Sequence, residues 1–586
     1  MTIKKKTRLP AEGAAAPLFL PTSREELDAL GWQAPDIILV SGDSYIDSPY
    51  IGIAVIGKML LQAGYRVGVI AQPDTASAAD ITRLGEPLLF WGVSAGCVDS
   101  LVANYTALKK KRNQDDYTPG GLNNRRPDRA SLVYTNLIRR YFKNTRPVVL
   151  GGIEASLRRI AHYDFWSNKV RRSILLDAKA DYLLYGMAEN AVLELAQRLQ
   201  RGEDARQLRG LCYLLGESEQ ASIPADYLEL PSFEAVVQDK DALIDMFQLF
   251  YQNNDPLTAK GLVQKHAGRC LVQNPPAPDM SQAEMDAVYG LEFERRQHPY
   301  YEKQGKVRAL ETIQFSIPTH RGCYGECSFC AIAVHEGRTV RWRSQESILA
   351  EASLLTQHPD FKGYIPDVGG PTANMYGFEC QKKLTRGACD GKSCLYPDVC
   401  PLLKVDHRPQ LNLLRKIRQL PGVKKVFVAS GIRYDLLLSD QACGAAYLRE
   451  VVANHVSGQM KVAPEHSEES VLRRMGKPGK ESLLRFKEMF DLSTRASGKQ
   501  QYLTYYLIAA HPGCTEQDMQ RLKAFTSTKL KVNPEQVQIF TPTPSTYASL
   551  MYYTEMDPFT RQPIFVEKDP SRKELQKQIV VGKNTR

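Results

Sequence analysis

The stretch that most constrains this chain is Arg321-Gly-Cys-Tyr-Gly-Glu-Cys-Ser-Phe-Cys330, which follows the apolar run Ile313-Gln-Phe-Ser-Ile317 and places Cys323, Cys327 and Cys330 inside eight residues. Thiols this close come from one loop. A cubane iron-sulfur cluster takes one thiolate for each iron that it does not leave open. Cys-x-x-x-Cys-x-x-Cys with no fourth cysteine nearby therefore suits a 4Fe-4S cluster with one iron free to bind a substrate or cofactor. The same thiols joined by His320 or His335 would satisfy a tetrahedral Cys3His zinc site.

Around that loop the pattern is α/β. Apolar runs at 36–41, 66–70, 88–93, 147–150 and 181–185 alternate with helical segments such as 51–63 and 189–201, which predicts a doubly wound, mostly parallel sheet buried on both faces. Its ligand crevice lies beyond the carboxyl ends of the strands, where Gly42, Asp43, Gly151 and Gly152 are expected. The alternation restarts at 311. Turns carrying Gly369-Gly370, Ser430 and Arg433, Glu465-His466 and His511 follow successive short strands, and such strand ends converge on one mouth in β/α barrels. Glu465, His466 and His511 are candidates for the substrate side of that mouth. The expected layout is a flexible segment over 1–30, an α/β domain over 31–215, a connector over 216–305 and a barrel over 306–550. A Cys-rich insertion at 379–407 and a C-terminal extension with a mixed-charge tail over 551–586 complete it.

Twelve cysteines, seven of them between 323 and 400, suggest local metal sites and a reducing compartment instead of a disulfide framework. Cys380, Cys389, Cys394 and Cys400 form a second set, in a segment poor in apolar periodicity; zinc or an auxiliary iron-sulfur cluster would order it, with His407 as a spare ligand. Cys97, Cys212, Cys270, Cys443 and Cys514 read as core fillers. His298, Tyr300 and Tyr301 read as interface residues. The net charge of +11 is dispersed except at the termini, and no basic and aromatic appendix marks a nucleic-acid partner, although RNA stays among the options. Pro10, Glu12, Pro17 and Pro21 interrupt any signal-peptide core and no later run is long enough to cross a membrane, so a cytoplasmic protein is expected.

The Cys323 loop resembles the signature of radical S-adenosylmethionine (SAM) enzymes, Phe329 standing where that family has an aromatic residue before the last cysteine. The resemblance implies that the open iron chelates SAM, that a reducing electron donor feeds the cluster, and that the fold is a partial (β/α)6 barrel. It further implies SAM contacts from Gly369 and Gly370, similar to a Gly-Gly-Glu motif although Pro371 replaces the acid, and from Ser430 and Arg433. The N-terminal module resembles the Rossmann-like cobalamin-binding domains of some such enzymes. Asp43, Tyr45 and Ser48 occupy the places of their Asp-x-His-x-x-Gly motif, however, and without the histidine this loop argues against cobalamin. Phrases along nearly the whole chain, among them 64–73, 271–277, Ser393-Cys-Leu-Tyr-Pro397 and Lys461-Val-Ala-Pro-Glu-His466, resemble the YgiQ family of radical SAM proteins. The resulting expectation is an enzyme that cleaves SAM and abstracts hydrogen from an RNA, a protein or a small molecule. The alternatives are a zinc-stapled binding protein without chemistry and a cobalamin-dependent radical methyltransferase.

Overall fold

The computed structural model describes residues 18–582. Its N-terminal half is built on β1 (Ile37–Ser41), α1 (Gly52–Gln62), β2 (Val67–Ala71), β3 (Phe90–Ser94), β4 (Val148–Gly151), β5 (Tyr182–Leu184) and α2 (Glu189–Arg201). The five strands are parallel in the order 2-1-3-4-5. β1 and β2 are buried at every position, as expected of strands covered on both faces. The chain passes from β2 back across β1 to β3, so the strand order reverses there and a crevice opens between the carboxyl ends of β1 and β3.

The sheet does not stop at the parallel strands. β6 (Leu211–Gly216) joins antiparallel to β5, and β7 (Leu228–Leu230), β8 (Leu262–His266) and β9 (Arg269–Gln273) extend it to nine strands in the order 7-8-9-6-5-4-3-1-2. The segment 216–305, expected as a connector, thus supplies three strands of this sheet. Its strands are short and separated by helices and a tight reversal at Ala267-Gly268, both in left-handed conformations, which hides the period-2 pattern.

In the second half, β10 (Ile317–Pro318) lies parallel to β12 (Val368–Gly369), and β11 (Tyr364–Ile365), just before β12, lies parallel to β13 (Lys425–Val426). Ile432 bridges to Val462 of β14 (Gln459–Glu465), which continues to β15 (Tyr502–Ala509) and β16 (Val537–Ile539). Between these strands come α3 (Gln345–Gln357), α4 (Arg408–Arg418), α5 (Gly444–Asn454), α6 (Lys480–Ser497) and α7 (Glu516–Phe525). Strand and helix side chains meet in one core that includes Ile317, Ile365, Val426, Val462, Leu507 and Val537, all at most 2% exposed. Each such side chain contributes about 1.5–3 kcal/mol of burial.

The two halves are fastened by buried charge. Arg295 pairs with Glu351 of α3, which also pairs with Arg343, and Arg321 pairs with Glu189 of α2. Residues 18–30, expected as flexible, are packed: Leu20 and Leu27 are fully buried and Ser23 and Glu26 close a capping box on a short helix. At the other end, α8 (Tyr547–Thr554) and α9 (Pro570–Val581) order much of the expected C-terminal extension, with Asp569 capping α9 and Val580 fully buried in the core of the second half. The lysines of 4–8 lie outside the described residues. No described helix is long and apolar enough to cross a membrane.

Candidate active site

The cysteine loop begins where the chain leaves His320-Arg321. Gly322 takes a left-handed φ of 83°, and a Cβ there would sit 2.4 Å from the Thr339 carbonyl, so the turn into Cys323 requires glycine. The Cys323 amide donates to the Gly337 carbonyl (3.3 Å), the Ser328 amide to that of Met475 (3.0 Å) and the Cys330 amide to that of Cys327 (2.9 Å). The Tyr324 hydroxyl reaches the Phe378 carbonyl. Gly325 leaves a gap that sulfur fills: a Cβ there would be 2.9 Å from Arg433 Nη1, 3.2 Å from Cys323 Sγ and 3.5 Å from Cys327 Sγ.

Two buried cations face this loop. Arg433 points Nη1 at Cys327 Sγ (3.6 Å) while its Nε and Nη2 grip Asp435 at 2.8–3.0 Å. The fork that the sequence offers to a SAM carboxylate is therefore committed to Asp435, two residues on. Lys477 pairs with Glu465 (3.2 Å) and donates to the Ala463 carbonyl (2.8 Å). Burial pulls its pKa down, but the neighbouring Cys327 and Glu465 outweigh that and raise it, so the charge is retained. The sequence reading missed Lys477; Gly476, the left-handed stop of a preceding short helix, was the signal that the following lysine enters a loop.

The thiols test which inorganic group fits. Burial raises Cys323 and pushes Cys330 up to about 12, with the neighbouring cysteines adding to both. Three thiolates without a counter-charge would be costly here, and an electropositive cluster flanked by Arg433 and Lys477 removes that cost. Among the described residues no three histidine, cysteine or carboxylate side chains converge closely enough to hold a single ion. A cubane spreads its thiolates over three irons and asks for no such convergence. Of the imidazoles proposed for zinc, His320 is engaged through both ring nitrogens and His335 through one. His320 uses Nδ1 with Thr319 Oγ1 (2.9 Å) and Nε2 with the Thr372 carbonyl (3.0 Å), and His335 uses Nδ1 with Ser156 Oγ (3.1 Å).

Beside the loop lies a cavity of about 550 Å³ with walls from both halves. The C-terminal half contributes His320, Asp367, Gly369, Gly370, Pro371 and Ser430; the N-terminal half contributes the strand ends at Ser41, Asp43, Ser94, Gly151 and Gly152. Thr372, next to Pro371, carries its hydroxyl 3.6 Å from Cys323 Sγ, so the cavity rim adjoins the cysteines. Asp367 organises this rim by accepting from the amides of Ala429 (2.8 Å) and Ser430 (3.2 Å) and from the Ser430 hydroxyl. Gly370 has no room for a side chain, since a Cβ would meet the His320 ring at 2.6 Å.

Other expected residues separate into near and far. Phe329 packs edge-on to His511, whose Nε2 lies 3.3 Å from Ser328 Oγ, and Glu465 reaches the loop through Lys477; these three surround the cysteines. His466 does not: its Nδ1 accepts from the Glu468 amide and its Nε2 faces Cys514 (3.6 Å). Burial holds His466 at about 4 and His511 at about 3, so both are neutral at physiological pH. In the second set, Cys380, Cys394 and Cys400 share a small core with Tyr324 and Phe378, while Cys389 lies 3.4 Å from Lys382 Nζ and Cys394 lies 3.8 Å from Lys383 Nζ. His407, the spare ligand, is bound through Nδ1 to Asp440 (2.8 Å). Cys97, expected as a core filler, lines the cavity; Cys212, Cys270, Cys443 and Cys514 are buried. His298 stacks on Tyr45, and Tyr301 accepts from the Ala71 amide (2.8 Å), which fastens the 298–301 segment to the N-terminal sheet.

A family model described as Radical SAM N-terminal matches residues 19–316. A UPF0313 protein of Fusobacterium nucleatum is 58% identical over 566 residues, covering 96% of this chain and 99% of that one. The chain belongs to the UPF0313 family of YgiQ-type radical SAM proteins. A UPF0313 protein of Thermotoga maritima is 48% identical over 566 residues, with 97% of this chain and 99% of the other covered. Membership makes the chain a radical SAM enzyme, a class defined by a 4Fe-4S cluster and SAM. Among solved structures, the radical SAM methyltransferase TsrM from Kitasatospora setae, with cobalamin and a 4Fe-4S cluster bound, is 15% identical, over 89% of this chain and 78% of that one, at a TM-score of 0.48. The cobalamin-dependent SAM radical enzyme OxsB is 12% identical, over 91% and 57%, at a TM-score of 0.49. Both UPF0313 relatives match over almost the full length of the described fold.

Proposed function

We propose that Cys323, Cys327 and Cys330 hold the 4Fe-4S cluster and that SAM lies along the barrel rim at Gly369, Gly370 and Ser430, facing a substrate in the interdomain cavity. The observation that carries this reading is the junction of that cavity with the cysteine loop at Pro371-Thr372. When bound, the reduced cluster supplies the electron that cleaves SAM to methionine and a 5′-deoxyadenosyl radical, which takes a hydrogen atom from the substrate. The chain's own part is positional. Gly370 gives close backbone approach, Asp367 fixes the Ser430 turn, and Arg433 and Lys477 place positive charge beside the thiolates. His511 and Glu465 are the candidates nearest the reacting region; the apolar walls keep water from a radical.

The loop that resembles the cobalamin-binding motif offers no free side chain as a cobalt ligand. Tyr45 is fully buried, accepts from the Leu20 amide (3.2 Å) and stacks on His298 away from the cavity, Ser48 accepts from the Tyr50 amide (3.3 Å), and Asp43 is taken by Arg126 (2.7 Å) and the Cys97 amide (2.6 Å).

The test is anaerobic reconstitution with iron and sulfide, addition of dithionite and SAM, and assay of 5′-deoxyadenosine. The parent is expected to form it and Cys327→Ala is not. A loaded cluster that leaves SAM intact, with cell extract present as a source of substrate, would return the protein to the class of metal-stapled binding modules.

A further inference from the structure

We propose that the inner half of the interdomain cavity is a substrate pocket for a small molecule with an uncharged apolar body and one hydrogen-bond donor, and that it rejects nucleotides and other polyanions. The inference rests on the cavity serving the radical site described above, and it narrows the substrate class.

The inner walls are apolar on both sides. Leu39, Phe90, Val149 and Leu184 of the sheet face Val55 of α1 and Val192 of α2, so a ligand entering at the β1/β3 switch point slides between the sheet and its helices. The charged residues of the lining are Asp43, Glu189, Glu336, Asp367 and Arg321. The single guanidinium is committed to Glu189 and to the Tyr289 hydroxyl (2.9 Å). Asp43 is held by Arg126, Asp367 by the Ser430 turn, and Glu336 accepts from the Gly322 amide (3.0 Å). His320 and His335 stay neutral through burial, at about 4. No lining cation is left to meet a phosphate, and a desolvated phosphate without one is strongly disfavoured.

One polar group is left over. Glu189, 5% exposed, is among the lining residues and its Oε2 has no protein partner, so a ligand hydroxyl or N–H that reached it would satisfy a buried acceptor. An apolar body in the slot with its donor at Glu189 leaves the far end of the molecule toward His320, Gly370 and Ser430, where the hydrogen would be taken.

N-phenyl-1-naphthylamine, a neutral aromatic probe with one N–H, measures this by fluorescence on the full-length, cluster-loaded protein. Micromolar binding by the parent, weakened at least tenfold in Val192→Trp or Val55→Trp and unaffected by excess tripolyphosphate, is the expected result. The two variants fill the slot from different helices, so a folding failure of one leaves the other. Absence of parent binding, unchanged binding in a folded variant, displacement by tripolyphosphate, or displacement by hydroxocobalamin that then stays bound with corrinoid absorption would each overturn the proposal. 5′-Deoxyadenosine assayed on the same samples reports separately on the radical reading: probe binding without SAM cleavage sinks that reading and leaves the pocket standing.

Discussion

The two cysteine sets offer the same ligand atoms in different settings. Around Cys323, Cys327 and Cys330, glycines open the backbone, two carboxylate-anchored cations face the sulfurs, and a cavity begins a few ångströms away. Around Cys380, Cys394 and Cys400, Leu395, Leu403 and Phe378 form a small core that buries Cys380 and leaves Cys394 and Cys400 half-buried, and Lys383 spans from Glu379 (3.2 Å) to the Arg338 carbonyl (2.7 Å) with Nζ 4.8 Å from the centre of the Tyr324 ring. Cysteine spacing alone does not separate the two. What separates them is the cavity that begins beside the first loop, since cations stand near both sets: Lys382 Nζ lies 3.4 Å from Cys389 and Lys383 Nζ 3.8 Å from Cys394.

The largest effect is expected from Cys327→Ala, which should abolish 5′-deoxyadenosine formation, at least about a thousandfold, whereas Cys394→Ala should stay within about threefold when assayed side by side; equal losses would erase the distinction. Gly370→Ala comes next. Its Cβ must displace the His320 ring, a cost of about 1–3 kcal/mol, so the Kd for SAM measured by calorimetry should rise roughly 10–100-fold. Lys477→Met removes a charge near the cluster. At an effective dielectric of about 20 and a separation of roughly 10 Å this is worth about 1–2 kcal/mol, so the reduction potential followed by electron paramagnetic resonance should fall by on the order of 50 mV, and Lys383→Met should leave it unmoved. The smallest change is expected from Cys389→Ala, half-buried beside Lys382, with stability altered by no more than about 0.5 kcal/mol in a denaturant melt. A loss several times larger, together with release of zinc, would show that the insertion is metal-stapled after all.

Much of the fold was legible because continuous apolar strands and helical segments alternate visibly: the parallel strands from 36 to 185 and the strand ends carrying Gly369, Ser430 and Glu465 all stand where their patterns point. The cysteine loop was legible because three thiols in eight residues have few physical explanations. The extension of the sheet through β7, β8 and β9 was not, since short strands separated by helices and one left-handed reversal leave no clear period. Nor were the partners of Arg433, Ser430 and Glu465. Asp435 could have been guessed from its place two residues on, but Asp367 lies 63 residues before Ser430 and Lys477 lies 12 after Glu465, distances that only the folded barrel closes.

Arg295 sits in the part of the chain that the family model matches, and its carboxylate partner Glu351 sits beyond it. A fragment ending at residue 316 would keep the whole nine-stranded sheet but lose both the counter-ion of this guanidinium and the half of the protein that packs over it. The same cut would remove one wall of the cavity. The N-terminal half is therefore poor material for domain shuffling: chimaeras between UPF0313 relatives should tolerate exchange of surface loops far better than exchange at 316, because inheritance of the pocket is all or none.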